Sequence, residues 1–327
     1  MIKVAMFDTK PYDEESFRAL CPEDINITYY PVKLNADSAK LAEGMDAVCT
    51  FVNDVVDKAA VDILYNLGVH LIALRCAGFD SVDVRACHNR ITVVRVPAYS
   101  PEAVAEHAIA LLMTSIRRIH KAYNRTRDFN FSLNDLVGIN LYGKTVGVIG
   151  TGKIGKAFIN ICNGFGMKVL AYDKFPNYQF NAEYVDIDEL LSKSDVISLH
   201  CPLTDENKHL INKASIDKMK KGVIIINTSR GGLISAVDLL EGLKSRKIGA
   251  ACIDVYEEES SLFFNDKSGH ILDDDVMARL LSMPNVIVTS HQAFLTREAL
   301  ENIADTTLEN ITAFFKKGEA PNEICYK

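Results

Sequence analysis

Short runs of Val, Ile, Leu and Ala recur along this chain of 327 residues, and they constrain its fold more than any other feature. They fall at Val4–Phe7, Val48–Val52, Leu71–Leu74 and Thr92–Val96, and then at Thr145–Ile149, Lys168–Tyr172, Val196–Leu199, Val223–Ile226, Ala250–Val255 and Val286–Thr289. They are mostly apolar throughout, without the alternation of a half-solvated strand, and this is how strands buried on both faces of a parallel sheet read. Parallel neighbours need a crossover, and intervals of roughly 20–40 residues leave room for a helix each time. The class is therefore α/β. At about 150 residues per domain the length suits two domains, and the pattern predicts two open, doubly wound parallel sheets.

The gap between Val96 and Thr145 holds a helix signal. Ser100 can cap it, Pro101 fits the first turn, and Glu102 sits near the positive end of the helix dipole. Ala105, Ile109, Leu112, Ile116 and Ile119 then form an apolar stripe on a helix of about 20 residues. It ends in the cationic stretch Arg117-Arg118-Ile119-His120-Lys121, as suits a helix C-terminus. The expectation is a packing helix that bridges the domains, with no chemical role for His107 or His120. The acidic stretch Glu257–Asp275, which contains Phe263-Phe264, is longer than an ordinary connection and reads as a functional or loose loop.

Composition excludes several classes. The net charge of −7 argues against a general nucleic-acid or anionic-membrane binder. There is no run of 18 or more apolar residues, so no membrane span is expected. The first residues, Met1 to Asp8, read as a strand rather than a secretion signal. The eight cysteines stand at no metal-knuckle or redox-pair spacing. No metal site is expected, and the thiols read as reduced core residues of a cytoplasmic protein.

The sharpest local motif follows the strand at Thr145–Ile149. Gly150, Gly152 and Gly155 form G-x-G-x-x-G, a helix-like run begins at Lys153, and the next strand ends at Asp173, about 20 residues on. Gly150 permits a tight turn, Gly152 lets the backbone approach a pyrophosphate at the helix N-terminus, and Gly155 allows close helix–strand packing. Asp173 can accept from both ribose hydroxyls and repels a 2′-phosphate, so NAD is favoured over NADP. Lys174 beside it weakens that discrimination. A βαβ unit without a ligand is the plain alternative.

Three more segments end strands of the same domain: Thr228-Ser229-Arg230-Gly231-Gly232, Asp254-Val255-Tyr256-Glu257-Glu258-Glu259, and Ser290-His291-Gln292-Ala293-Phe294. Ligands of doubly wound sheets bind at the carboxyl ends of strands, so an arginine, an acid and a histidine are brought to one end. Together they suit reduction of a 2-keto acid. An arginine grips carboxylate and carbonyl oxygens, and an imidazole protonates the carbonyl oxygen as a hydride arrives. A carboxylate behind an imidazole orients it and favours its charged form. Taken one at a time, each residue reads equally well as a surface ion pair, a solvated acid or a structural histidine.

The segments Arg75–Asp80, Val94–Ala108, the Gly150 fingerprint, Leu199–Thr204, Asn227–Gly232 and the stretch around His291 together resemble the D-isomer-specific 2-hydroxyacid dehydrogenase family along essentially the whole chain. Asp254–Glu257, Phe263-Phe264 and His291–Thr296 resemble its lactate-forming branch. The resemblance implies NADH-dependent reduction of pyruvate to D-lactate, with Arg230 binding and polarising substrate, Glu259 partnering His291, and His291 donating the proton. It implies backbone N–H groups around Gly78 on the substrate carboxylate, with Tyr99 and Phe294 lining a small pocket. On NAD it places Gly150, Gly152, Lys153, Ile154, Gly155, Asp173, Cys201, Pro202, Asn207, Thr228, Ser229 and Asp254. It implies a flavodoxin-like substrate domain over residues 1–99 with 297–327 and a Rossmann NAD-binding domain over 100–296. Hinges would fall near Tyr99 and Ala293, so that closure expels water. A homodimer or dimer-based oligomer, paired largely through the cofactor domain, is also implied.

Two departures matter. Ser235 stands where relatives often carry Asp, and it can cap the next helix equally well. The run Glu257-Glu258-Glu259 invites a register slip; Glu259, five past Asp254 as in the family, is the expected partner of the histidine, with Glu257 as the alternative. Two other functions compete: a dehydrogenase for a bulkier branched 2-keto acid such as 2-ketoisocaproate, since a methylene is worth only about 1–3 kcal/mol, and an NAD(H)-sensing binding protein on the same fold.

Overall fold

The computed structural model describes residues 1–178, 181–259 and 262–326. By its contacts the chain divides into two units, Met1–Ser100 with Leu295–Lys327, and Pro101–Phe294.

The first unit opens with β1 (Ile2–Met6), α1 (Pro11–Leu20), β2 (Ile25–Tyr29), β3 (Ala47–Thr50), α2 (Lys58–Asn66), β4 (Leu71–Leu74), α3 (Val84–Cys87) and β5 (Thr92–Arg95). Every strand pairing is parallel, in the order β2-β1-β3-β4-β5, which is the flavodoxin-like winding. Pro11 and Asp13 open α1, while Asp57 and Asp83 cap α2 and α3 by accepting from the N–H three residues on. Val4, Met6, Cys49, Ala73 and Val94 form one apolar face of this sheet, and Phe17 of α1 packs on it.

The second unit runs α4 (Pro101–Arg117), α5 (Ile119–Arg127), β6 (Thr145–Ile149), α6 (Lys153–Gly164), β7 (Lys168–Tyr172), β8 (Glu183–Tyr184), α7 (Ile187–Lys193), β9 (Val196–Leu199), α8 (Lys213–Lys218), β10 (Val223–Asn227), α9 (Ala236–Lys244), β11 (Ile248–Ile253), α10 (Asp275–Leu281) and β12 (Val286–Val288). Its parallel sheet has the order β12-β11-β10-β9-β6-β7-β8. The strands are buried on both faces. Ile149, Ile197, Leu199 and Ile225 meet α7 to α10, while Val146, Val148, Ile224 and Ile226 meet α4 and α6. The winding reverses between β6 and β9, and doubly wound sheets bind ligands at the carboxyl ends of strands at such a reversal. The chain then rejoins the first unit through α11 (Arg297–Thr312), capped by Thr296. Ala304, Leu308 and Ile311 of α11 close the apolar face that Phe17 began.

The structure differs from the sequence expectation in three places. β2 and β8 were not among the apolar runs. β2 reads Ile-Asn-Ile-Thr-Tyr and lies at a sheet edge, where only Ile25 is buried; β8 has only two residues. The helix from Pro101 does not run on through Ile119: Arg118 takes φ +54°, and a second helix, α5, begins with no buried residue. Ile119 therefore leaves the apolar stripe and is 53% exposed. Lastly, five of the eight cysteines are buried, but Cys21 and Cys201 are half-buried and Cys325 is exposed; all eight are free thiols.

Candidate active site

At the end of β6 two of the three glycines are required by sterics. Gly150 has φ +94°, and a Cβ there would meet the backbone of His200 and Cys201, the first residues past β9, at 2.5–2.7 Å. A Cβ on Gly155 would lie 2.0 Å from the Gly150 carbonyl oxygen. Gly152 is different: nothing stands within 4 Å of its Cβ position, and as N-cap of α6 it offers no side chain to the helix N–H groups. The first N–H donors of α6, beginning at Lys153 and Ile154, are left to an outside acceptor, as a pyrophosphate site requires. This open cradle fits a dinucleotide.

Asp173, at the end of β7, is held in place. Its Oδ2 accepts from Thr151 N (2.6 Å) and Thr151 Oγ1 (2.9 Å), and its Oδ1 accepts from Phe175 N (2.8 Å). The Tyr184 hydroxyl donates to Thr151 Oγ1 at 2.9 Å. Lys174, which weakened the case against a 2′-phosphate, is ion-paired with Glu206. Past β9, Asn207 donates to the Pro202 carbonyl (2.8 Å) and accepts from Thr204 N (2.7 Å), so it shapes the turn that carries Cys201 and Pro202. Burial lifts the Cys201 thiol to about 11, which keeps it neutral. Thr228 has a buried hydroxyl oxygen with no partner, whereas Ser229 Oγ donates to the Cys201 carbonyl at 2.6 Å.

Arg230 follows β10. Asn227 Nδ2 holds its carbonyl oxygen at 2.9 Å, and the Arg230 Nη1 donates to the Ser229 carbonyl at 2.8 Å. The guanidinium is half-buried and pairs with no carboxylate among the described residues. Gly231 is obligatory, because a Cβ would lie 2.1 Å from the Tyr256 backbone.

His291 follows β12 with φ +54°. Its Nδ1 lies 2.7 Å from Glu259 Oε1, and Glu259 Oε2 accepts from Tyr256 N at 2.8 Å. Glu257 instead meets His209 Nε2 at 2.5 Å, so the two acids of the ambiguous run serve different histidines. The Phe264 ring stands 5.9 Å from the imidazole, and Phe263 is buried, so this part of the long acidic segment packs rather than hanging loose. The imidazole's Nε2 makes no hydrogen bond among the described residues and is available to a substrate.

Asp254, which the resemblance places on the cofactor, is a buried carboxylate. Its Oδ1 accepts from Thr289 Oγ1 (2.5 Å) and Gln292 N (2.9 Å), its Oδ2 from Ala293 N (2.8 Å), and His107 Nε2 lies 3.4 Å away. Burial alone would raise its pKa, yet these donors hold it below the usual carboxylate value. The carboxylate thus fixes the turn that presents His291. Sequence reasoning missed His107 and Thr289 here; they meet at 3.1 Å although 182 residues apart in the chain, and no local signal marks such a pair.

In the first unit, Gly78 follows β4. Neither the Gly78 nor the Phe79 N–H donates a hydrogen bond among the described residues. Tyr99 is half-buried, its carbonyl held by Asn302 Nδ2 at 2.7 Å. Phe294, the last residue of the second unit, is 7% exposed.

Comparison with known proteins places the chain among dehydrogenases. A family profile described as D-isomer specific 2-hydroxyacid dehydrogenase, NAD binding domain, matches residues 109–293. A 2-hydroxyacid dehydrogenase homolog of Haemophilus influenzae is 53% identical over 95% of each chain. The D-lactate dehydrogenase of Escherichia coli is 51% identical over 99% of this chain and 100% of its own. A solved structure of a pyruvate reductase of Chlamydomonas reinhardtii superposes with a TM-score of 0.94 at 44% identity, over 98% of each chain.

Proposed function

Because the chain belongs to the D-isomer-specific 2-hydroxyacid dehydrogenase family and contains that family's NAD-binding domain, we propose that it reduces pyruvate to D-lactate, reversibly, as an NAD-dependent dehydrogenase. The observation that carries the site assignment is His291, held through Nδ1 by Glu259 with Nε2 free, in the same unit as the unpaired Arg230.

NAD is the cofactor. We assign it to the Gly150–Gly155 cradle, with Lys153 and Ile154 N–H groups on the pyrophosphate, Asp173 on the ribose, and the turns at Cys201-Pro202 and Thr228-Ser229 beside it. Bound there in reduced form, the cofactor would supply the hydride for the keto carbon. The remaining steps belong to side chains. Arg230 grips the keto acid and draws electron density onto its carbonyl oxygen. His291, charged, gives the Nε2 proton to that oxygen, and Glu259 steadies the imidazolium beforehand and the ring orientation throughout. The Gly78 N–H region receives the carboxylate, and Tyr99 and Phe294 limit the size of the substituent.

We place the enzyme in the cytoplasm as a homodimer. No described helix is long and apolar enough to cross a membrane. Support for pairing comes from one segment of the second unit, where Phe129, Phe131, Leu133, Val137 and Tyr142 are each more than 70% exposed, and exposed apolar clusters mark interaction surfaces.

Purified protein with NADH and pyruvate should oxidise the cofactor and yield the D isomer of lactate. Weak turnover on pyruvate beside rapid turnover on 2-ketoisocaproate would move the assignment to the branched acid. Binding of NADH with no turnover on any 2-keto acid would leave a sensor.

A further inference from the structure

The carboxylate subsite assigned above uses backbone N–H groups after β4, and a backbone donor is only as well aimed as its peptide plane. Two side chains set those planes. Arg95, at the end of β5 and register partner of Leu74 on β4, donates from Nη1 to the Ala77 carbonyl at 2.7 Å. The Cys76 thiol donates to the Gly78 carbonyl at 3.2 Å. All peptide bonds described here are trans, and in a planar trans peptide the C=O and N–H point in opposite directions. Gripping the Ala77 carbonyl therefore turns the Gly78 N–H away from Arg95, and gripping the Gly78 carbonyl does the same for the Phe79 N–H. Neither of these N–H groups finds an acceptor among the described residues.

Arg95 is itself anchored. Its backbone N–H donates to the Asn322 carbonyl at 3.2 Å, its carbonyl accepts from Asn310 Nδ2 at 3.0 Å, and its guanidinium lies 5.2 Å over the Phe79 ring. The guanidinium is half-buried and pairs with no carboxylate among the described residues. An unpaired cation on a carbonyl polarises the peptide it touches, which makes the opposite N–H a stronger donor. Aim and polarisation both favour an anion on the far side of the peptide.

We propose that Arg95 is the positioning residue of the substrate-carboxylate subsite. It acts through the Ala77–Gly78 peptide and does not touch the substrate. The proposal rests on the 2-keto acid reading, so wild-type turnover is measured alongside. Arg95→Met should raise the KM for the keto acid about tenfold to a hundredfold, the scale of one hydrogen bond to a charged group. It should change kcat less, and leave NADH affinity and Tm close to wild type, because the cofactor cradle lies in the other unit. Arg95→Lys keeps a cation in reach of the Ala77 carbonyl and should recover part of the loss. If Arg95→Met fails to fold, the lysine variant carries the test alone, with a KM rise of about threefold to tenfold expected on the same scale. An unchanged KM in whichever variant folds overturns the proposal. So does a fall in NADH affinity and Tm in step with the KM rise, which would mark a merely structural arginine. A wild-type protein inactive on every 2-keto acid removes the function reading and this proposal with it, an outcome distinct from active wild type with an unaffected variant.

Discussion

The imidazole of His291 is held by Glu259, Nδ1 to Oε1 at 2.7 Å, while Glu257, two residues earlier, turns to His209 and approaches the Ala236 N–H of α9 at 3.4 Å. The division predicts different phenotypes for near-identical substitutions. Glu259→Gln should lower kcat about tenfold to a hundredfold, because a neutral amide has no charge to favour the imidazolium and cannot accept from both His291 and Tyr256 N. Glu257→Gln should leave kcat near wild type and lower Tm. His291→Ala should lower kcat by about 10²–10⁴ with little change in NADH affinity. Steady-state kinetics with NADH titrations on the three variants checks this, and equal kcat losses in the two Glu variants would sink it.

Asp254 links that turn to pH. Its folded-state pKa lies below the ordinary 3.8, despite burial, because Thr289, Gln292, Ala293 and His107 surround it. A carboxylate with a depressed folded value contributes its full stability above about pH 4 and loses it as pH falls through that lower value. Asp254→Asn should cost about 3 kcal/mol at neutral pH, since an amide cannot accept on both sides. It should also flatten the stability profile below about pH 4. Denaturant melts from pH 3 to pH 7 decide it, and a variant with the wild-type acid slope would contradict the sign.

How much of this was legible depends on whether the reason is local. Gly150 and Gly155 could be read because a tight turn and a close approach exclude side chains there. Buried β6 and β10 could be read because both faces are apolar, whereas β2 could not, since an edge strand with one buried residue looks like a loop. The choice of Glu259 over Glu257 rested in the sequence on spacing from Asp254 alone, because the local chemistry of the two is alike and the difference arises in the tight turn after Tyr256, where the Glu259 N–H returns to the Tyr256 carbonyl at 3.3 Å. Asp254 was placed by family likeness, and its donors Thr289, Gln292 and Ala293 come from 35–39 residues further along, beyond any local signal.

Cofactor choice rests on Asp173, with Thr151 and Tyr184 behind it and Lys174 drawn off by Glu206. Asp173→Ala should raise the KM for NADH and shift the NADPH-to-NADH ratio of kcat/KM upward by about tenfold or more, since it removes both the ribose acceptor and the charge that repels a 2′-phosphate. The kcat with saturating NADH should change little, because hydride acceptance and proton donation lie elsewhere. Kinetics with both nucleotides reads the ratio directly, and an unaltered ratio would show that discrimination lies outside Asp173.

The proposed homodimer makes a prediction that does not depend on catalysis. Phe131 and Val137 are 71% and 87% exposed, so their side chains contribute little to the core of their own chain. Exposed apolar residues replaced by charge usually change a monomer's stability by no more than about 0.5 kcal/mol. At a buried interface between two copies the same charges have no partner and are costly. Phe131→Asp combined with Val137→Asp should therefore convert a two-chain species to a single chain in analytical ultracentrifugation while each chain stays folded by circular dichroism. A double variant that sediments with wild-type mass would place the pairing surface elsewhere, and a wild-type protein that sediments as one chain would remove the dimer altogether.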